Sequence, residues 1–253
     1  MTFCRAVGLH VALKVLKEIV ELSLLVVCFY VSLGMYVRFR LPRWSLPLER
    51  SRLAILSVLA LVMLGIKVTE DVIGDESGPI DRAILTVIHS HVSNKLTSVF
   101  EVITLTASAN SLIALTLVAS ITLLLAQRHR EALLIVGSTM SGAALVYVVK
   151  TAVGRERPDL WPAQWYWGSS FPSGHTLVVA AFATAGALTV ARMWPPARGW
   201  AFSVAFFWIL LVAISRLVLG AHWPTDVLAA ACIGATLPLA FSLALDFRSR
   251  KQT

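Results

Sequence analysis

Apolar runs of membrane-crossing length constrain the fold of this chain more than any other feature. Leu53 to Val68, Ser108 to Ala126, Ala132 to Val149, Ser173 to Ala191, Ala201 to Leu219 and Thr225 to Leu245 each read as a spanning helix. A segment of about 20 apolar residues bridges the hydrocarbon core, and a helix satisfies its own backbone there. Only 14% of the residues are charged, against about 25% in soluble proteins, and no polar block is long enough to build a soluble domain. The expected fold is all-α and polytopic. It has a six-helix transmembrane core over residues 52–246, an N-terminal segment of residues 1–51 and a short basic tail, 247–253. Within the N-terminal segment, Ile19 to Val37 is apolar apart from Glu21 and is closed by Arg38, Arg40 and Arg43. It predicts an extra helix that either spans or lies in the interface. No small-residue cleavage pattern follows it, which argues against a cleaved signal peptide.

The net charge of +8 does not point to nucleic acid, because the basic residues are scattered through short loops rather than gathered in a stripe. Those loops fall into two sets when the spans alternate direction. One holds Arg38, Arg40, Arg43, Arg50, Arg52, Arg128, Arg130, Arg192, Arg198, Arg248, Arg250 and Lys251. The other holds Lys67, Arg82, Lys95, Lys150, Arg155, Arg157 and Arg216, with most of the acidic residues. The positive-inside rule assigns the richer set to the cytoplasm and the poorer one to the outside. Arg5, Lys14 and Lys17 oppose this if Ile19–Val37 spans. Between the second and third expected spans, residues 69–106 are the most polar stretch, punctuated by Gly78-Pro79. Ile80 to Ile88 has helical apolar spacing and is expected to lie along the membrane surface. Cys4, Cys28 and Cys232 lie in or beside apolar segments at no metal-ligand spacing.

Three polar clusters break the apolar pattern, all on the predicted outer side. The first is Lys150, then Arg157-Pro158. The second is Pro172-Ser173-Gly174-His175, opening a span. The third is Ser215-Arg216, His222 and Asp226. Ionisable groups at membrane depth are expensive and mark function by default. Pro224 suits the first position of a helix, which puts His222 just before that helix and Asp226 in its first turn. From there the carboxylate can fix one imidazole nitrogen while the other attacks or accepts a proton. Lys150, Arg157 and Arg216 supply three cations, and two of them are planar forks matched to phosphate oxygens. Ser173 and Gly174 sit at a helix N-terminus, where backbone N–H groups cradle anions.

These clusters resemble the three signature motifs of the type 2 phosphatidic acid phosphatase superfamily, which includes lipid phosphate phosphatases, undecaprenyl pyrophosphate phosphatases and vanadium haloperoxidases. The resemblance covers roughly residues 52–245. It implies a six-helix transmembrane phosphatase core and a lipid phosphatase in which His222 attacks phosphorus, Asp226 orients it, and His175 protonates the leaving oxygen. Lys150, Arg157, Ser173, Gly174 and Arg216 would hold the phosphate. A phosphohistidine hydrolysed by water would follow, with no cofactor and no metal. The substrate would be a lipid phosphate at the outer face of a cytoplasmic (inner) membrane. Undecaprenyl pyrophosphate, phosphatidylglycerophosphate, phosphatidic acid and the lipid A phosphates all qualify, and the oligomeric state is open. The same motifs suit a phosphotransferase that passes the phosphoryl group to a second lipid. A catalytically silent, lipid-binding protein would be expected to have lost a motif residue, and none is missing. Haloperoxidases are soluble, unlike this chain.

Each residue also has a plainer explanation. Lys150 and Arg157 could be interfacial anchors, Ser173-Gly174 an ordinary helix cap, and His175 a polar contact between helices. Those explanations account for neither the spacing nor the shared side. Arg155 is either one more basic group of the site or solvent-exposed. His89 and His91, two apart, do not share a helix face, which disfavours a metal role. Trp161, Trp165, Tyr166 and Trp167 fit an interfacial aromatic belt better than a path for a lipid tail.

Overall fold

A computed structural model describes residues 2–41, 48–49, 51–159 and 168–249. All the regular structure among them is helical. The chain divides into two compact units, Met1–Leu64 and Gly65–Thr253. The first contains α1 (Thr2–Arg40) and the start of α2 (Arg52–Ile73). Helix α1 begins well before the apolar run at Ile19, and its stretch Leu16–Arg40 has the length and hydropathy of a span.

The second unit continues with α3 (Gly78–His91), α4 (Asn94–Leu105), α5 (Ala109–Leu125), α6 (His129–Val153), α7 (Gly174–Met193), α8 (Arg198–Val218) and α9 (Pro224–Ser249). Among the described residues six helices are long and apolar enough to cross a membrane, with a seventh crossing if α4 and α5 count as one bent span. These two meet at 44°, and local hydroxyls satisfy the break. The Ser108 hydroxyl accepts the Ser111 N–H at 3.3 Å, and the Ser111 hydroxyl donates to the Leu105 carbonyl at 2.7 Å. Satisfying freed backbone groups in this way is what lets a helix break at membrane depth.

Helix α7 is the centre of this unit and packs against α6, α8 and α9. Its span is 56% buried, more than any other, and its sequence explains why. Ala180, Ala181, Ala183, Ala185 and Ala187 present little bulk and let neighbouring backbones come close. The closest approach is at Gly234 of α9, where a Cβ would collide with the Leu177 carbonyl and lie 2.8 Å from the Ala180 Cβ. Larger side chains fill the remaining space, with Leu112, Val179 and Val212 in one cluster and Leu123, Leu134 and Ile135 in another. Outward-facing side chains are apolar too: Leu117, Val118, Leu133, Met140, Phe206 and Phe207 are all exposed. Such a surface suits lipid rather than water.

Helix α3 contains the Ile80–Ile88 stretch and packs against α8 and α9. Its Asp81 and Leu85, one helical turn apart, are both fully buried.

Candidate active site

Four helix ends converge, and each brings part of the constellation. Helix α6 carries Lys150 in its last turn and stops at Gly154, whose φ of +67° suits glycine. The chain then runs through Arg155 and Arg157. Helix α7 begins at Gly174 with Ser173 as its cap residue and His175 in its first turn. Helix α8 ends with Arg216 in its last turn. The connection to α9 turns at Gly220, where φ is +63°. That turn sets Ala221, His222 and Trp223 directly before Pro224, the first residue of α9. The predicted Pro-opened helix with Asp226 in its first turn is therefore observed.

The Nδ1 of His222 lies 3.5 Å from Oδ2 of Asp226, an ion-pair distance without hydrogen-bond geometry. Asp226 has no exposed surface and is held on all sides. Its Oδ2 accepts the Trp223 N–H at 2.9 Å, and its Oδ1 accepts from Nη1 of Arg155 at 2.5 Å. Its backbone carbonyl accepts the Ser173 N–H at 3.3 Å, which joins α9 to the cap of α7. His222 is 3% exposed. Burial pushes its imidazole from 6.5 down to about 4, against the raising pull of Asp226, and the charges of Arg216 and Arg157 add to the lowering. At neutral pH this ring is therefore unprotonated and able to attack.

The cations are anchored by carbonyls and hydroxyls of the same neighbourhood. Lys150 Nζ donates to the Ser169 carbonyl. Arg157 donates to the Ala221 carbonyl at 2.7 Å and to that of Ser169 at 3.5 Å. Arg216, only 2% exposed, donates to the Thr104 hydroxyl at 2.9 Å, so the end of α4 sets its position. The Ser173 hydroxyl is 3.0 Å from that of Thr176. His175 is partly exposed and lies within electrostatic reach of Arg216, His222, Lys150 and Arg157. Every residue that the motifs singled out thus lies in one neighbourhood. A cluster of fixed cations beside a neutral, carboxylate-backed imidazole is suited to hold a phosphate and attack it.

Sequence reasoning missed several polar supports of this site. Arg155 is not solvent-exposed: its side chain is 14% exposed and forms ion pairs with both Asp81 and Asp226. Asp81, within the polar stretch 69–106, is fully buried against Arg155 and Thr225. The available signal was its spacing one turn before Leu85, on the inner face of α3. Thr104 and Thr225 carried no signal, since both are ordinary helix residues until their partners are known. His89 and His91 lie at the C-terminal end of α3, away from these groups in the chain, and His91 is exposed. No group of three or more His, Cys, Asp or Glu residues is placed to hold a metal among the described residues. The aromatic cluster Trp161, Trp165, Tyr166 and Trp167 lies outside the described residues.

Similarity to known proteins centres on the stretch that carries the motifs. Residues 131–250 match the PAP2 superfamily, a stretch that contains all three motifs but begins later than residue 52. Phosphatidylglycerophosphatase B of Escherichia coli (strain K12) is 34% identical over 103 residues, which cover 39% of this chain and 39% of that protein. A lipid A 1-phosphatase of Rhizobium johnstonii is 34% identical over 105 residues, covering 38% of this chain and 40% of that one. The chain thus spans about two fifths of the length of these curated relatives. The structural likeness reaches further. The crystal structure of a transmembrane PAP2-type phosphatidylglycerolphosphate phosphatase from Bacillus subtilis superposes with a TM-score of 0.69 at 23% identity, covering 76% of this chain and 96% of that one.

Proposed function

We propose that this chain, which carries a PAP2 superfamily domain over residues 131–250, is an integral membrane lipid phosphatase working through a phosphohistidine at His222. One observation carries the proposal: a buried, carboxylate-backed histidine shares a cluster of helix ends with Lys150, Arg157, Arg216 and a second histidine, His175. The catalytic domain is residues 52–246, and residues 1–51 and 247–253 are additions to it.

The Nδ1 of His222 faces Asp226, which leaves Nε2 to attack. The lipid's phosphate sits among the three cations and the N–H groups at the start of α7. As the N–P bond forms, the bond from phosphorus to the lipid oxygen breaks, and protonated His175 gives that oxygen its proton. Asp226 stabilises the imidazolium character that develops on His222. Water then attacks the phosphohistidine and passes a proton to His175, and His222 leaves as inorganic phosphate departs. Fixed cations stabilise the charge on the transferring phosphoryl group, so no step needs a metal ion.

The names of the relatives point to phospholipid or lipid A phosphates as the substrate class, and the apolar exterior fits a substrate whose tail stays in the bilayer. The charge distribution supports a site on the outer side of the cytoplasmic membrane. The test is phosphate release by purified protein in heavy-oxygen water, over phosphatidic acid, phosphatidylglycerophosphate, undecaprenyl pyrophosphate and lipid A. Hydrolysis predicts labelled phosphate at a steady multiple-turnover rate from at least one of these substrates alone. Release that waits for a second lipid, with the phosphoryl group then found on that lipid, would make the protein a transferase instead.

A further inference from the structure

Asp81 and Asp226 are the buried acids among the described residues, and the steps above give work only to Asp226. Asp81 is 0% exposed, in the first turn of α3. A carboxylate buried so completely is costly unless its partners are fixed and well aligned. Its partners here all lead to the catalytic turn. Oδ1 accepts the Thr225 N–H at 3.0 Å, and Oδ2 accepts the Thr225 hydroxyl at 2.6 Å and Nη2 of Arg155 at 2.8 Å. Thr225 immediately precedes Asp226. Its hydroxyl donates to Asp81 and accepts from Nη1 of Arg155 at 2.9 Å, which uses one donor and one acceptor. The same Nη1 reaches Asp226. Ser77 accepts from Nη2 at 3.0 Å, and the Trp223 ring lies 5.7 Å from the guanidinium carbon.

This arrangement is a relay of position. Asp226 can face His222 only if its other oxygen is held, and Arg155 holds it. Arg155 can lie there only if its charge and its second nitrogen are satisfied, and Asp81 does both. The same carboxylate also grips the first turn of α9 through both polar groups of Thr225. We propose that Asp81 is a positioning residue for the reaction at His222, acting through Arg155 and Thr225 to fix the Asp226 carboxylate. The proposal rests on the reading of His222 as nucleophile. It also gives α3 a task in catalysis, since this helix contributes no motif residue.

The test uses the full chain in detergent with phosphatidic acid as substrate. Asp81→Asn keeps the shape of the side chain and loses its charge. The expected result is a fall in kcat of about 10- to 100-fold with KM changed by less than about twofold, because a misplaced catalytic group costs turnover rather than ground-state binding. Introduced into Asp226→Asn, the same substitution should cost less than about threefold more, since its route of action is already cut. Thr225→Val, which removes the hydroxyl at constant size, should lose much more kcat than Thr225→Ser, which keeps it. This pair carries the test if Asp81→Asn does not fold. Equal losses from Asp81→Asn in both Asp226 backgrounds, or equal losses in the two Thr225 variants, would overturn the role of Asp81 and leave His222 untouched. Activity persisting in His222→Ala would overturn the phosphohistidine reading itself, and the relay with it.

Discussion

Three groups approach the Asp226 carboxylate at different distances. Arg155 and the Trp223 N–H take one oxygen each at hydrogen-bond distance, while the imidazole stands off at 3.5 Å. In the proposed mechanism the carboxylate orients the ring from its Nδ1 side and leaves Nε2 free to attack. With burial lowering the ring to about 4, a nucleophilic His222 predicts activity at neutral pH that is lost as pH falls through about 4. The acid limb of kcat/KM should accordingly lie below the ordinary histidine range. Asp226 raises the His222 value, so in Asp226→Asn the limb should move to lower pH, with kcat reduced by orders of magnitude through misorientation of the ring. A limb that moved upward would contradict the assignment; comparing the two proteins cancels the titration of the substrate phosphate. The three cations lead to a second expectation. Turnover should survive excess chelator, and vanadate, which adopts five-coordinate phosphoryl geometry, should inhibit. Activity lost in chelator and restored by a divalent ion would show that the site had been misassigned. These residues were legible because each motif joins residues close in sequence at the end of an apolar run. Asp81 was not, because Thr225, which it grips, is 144 residues away.

Helix α7 is where sequence and packing meet most tightly, because its small residues bring α9 almost into backbone contact. The separation leaves no room for a methyl group at Gly234. Gly234→Ala should therefore force the helices apart, displace Asp226 relative to the cap of α7, and cost about 1–3 kcal/mol. Gly137→Ala, where a Cβ meets nothing within 4 Å, should be close to neutral. Thermal unfolding of the two variants in one detergent checks this, and equal midpoints would contradict the close approach. The helices themselves were legible from hydropathy alone, with ends displaced by a few residues: α6 was expected at Ala132–Val149 and runs from His129 to Val153. The bend between α4 and α5 was not legible. Ser108 and Ser111 look like mild polar residues in an apolar run, and only their hydrogen bonds reveal the break. That break matters, because the end of α4 supplies Thr104 to Arg216.

At the scale of the molecule, the site and the basic loops occupy opposite ends of the helices. The motifs sit at the C-terminal ends of α6 and α8 and the N-terminal ends of α7 and α9, whereas Arg128, Arg130, Arg192 and Arg198 lie at the other ends. Arg192 also clamps α7 to α9 through Ser242 and Asp246. The positive-inside rule predicts that the arginine ends face the cytoplasm. In a chain whose native cysteines are replaced, Asp159→Cys should be labelled by an impermeant reagent on intact cells, and Gln127→Cys only after the membrane is opened. Both positions are exposed, and the reverse pattern would invert the topology. Hydropathy and loop charge made this architecture legible, whereas the lipid that enters depends on shape around the site that no motif encodes. The most direct measurement of the central claim is to mix the purified protein with radiolabelled lipid phosphate, quench within a turnover, and map the label. Phosphoryl groups on His222, stable in base and lost in acid, and absent from His222→Ala, are the predicted result. Phosphate release at an undiminished rate from His222→Ala, or label on another residue, would contradict it.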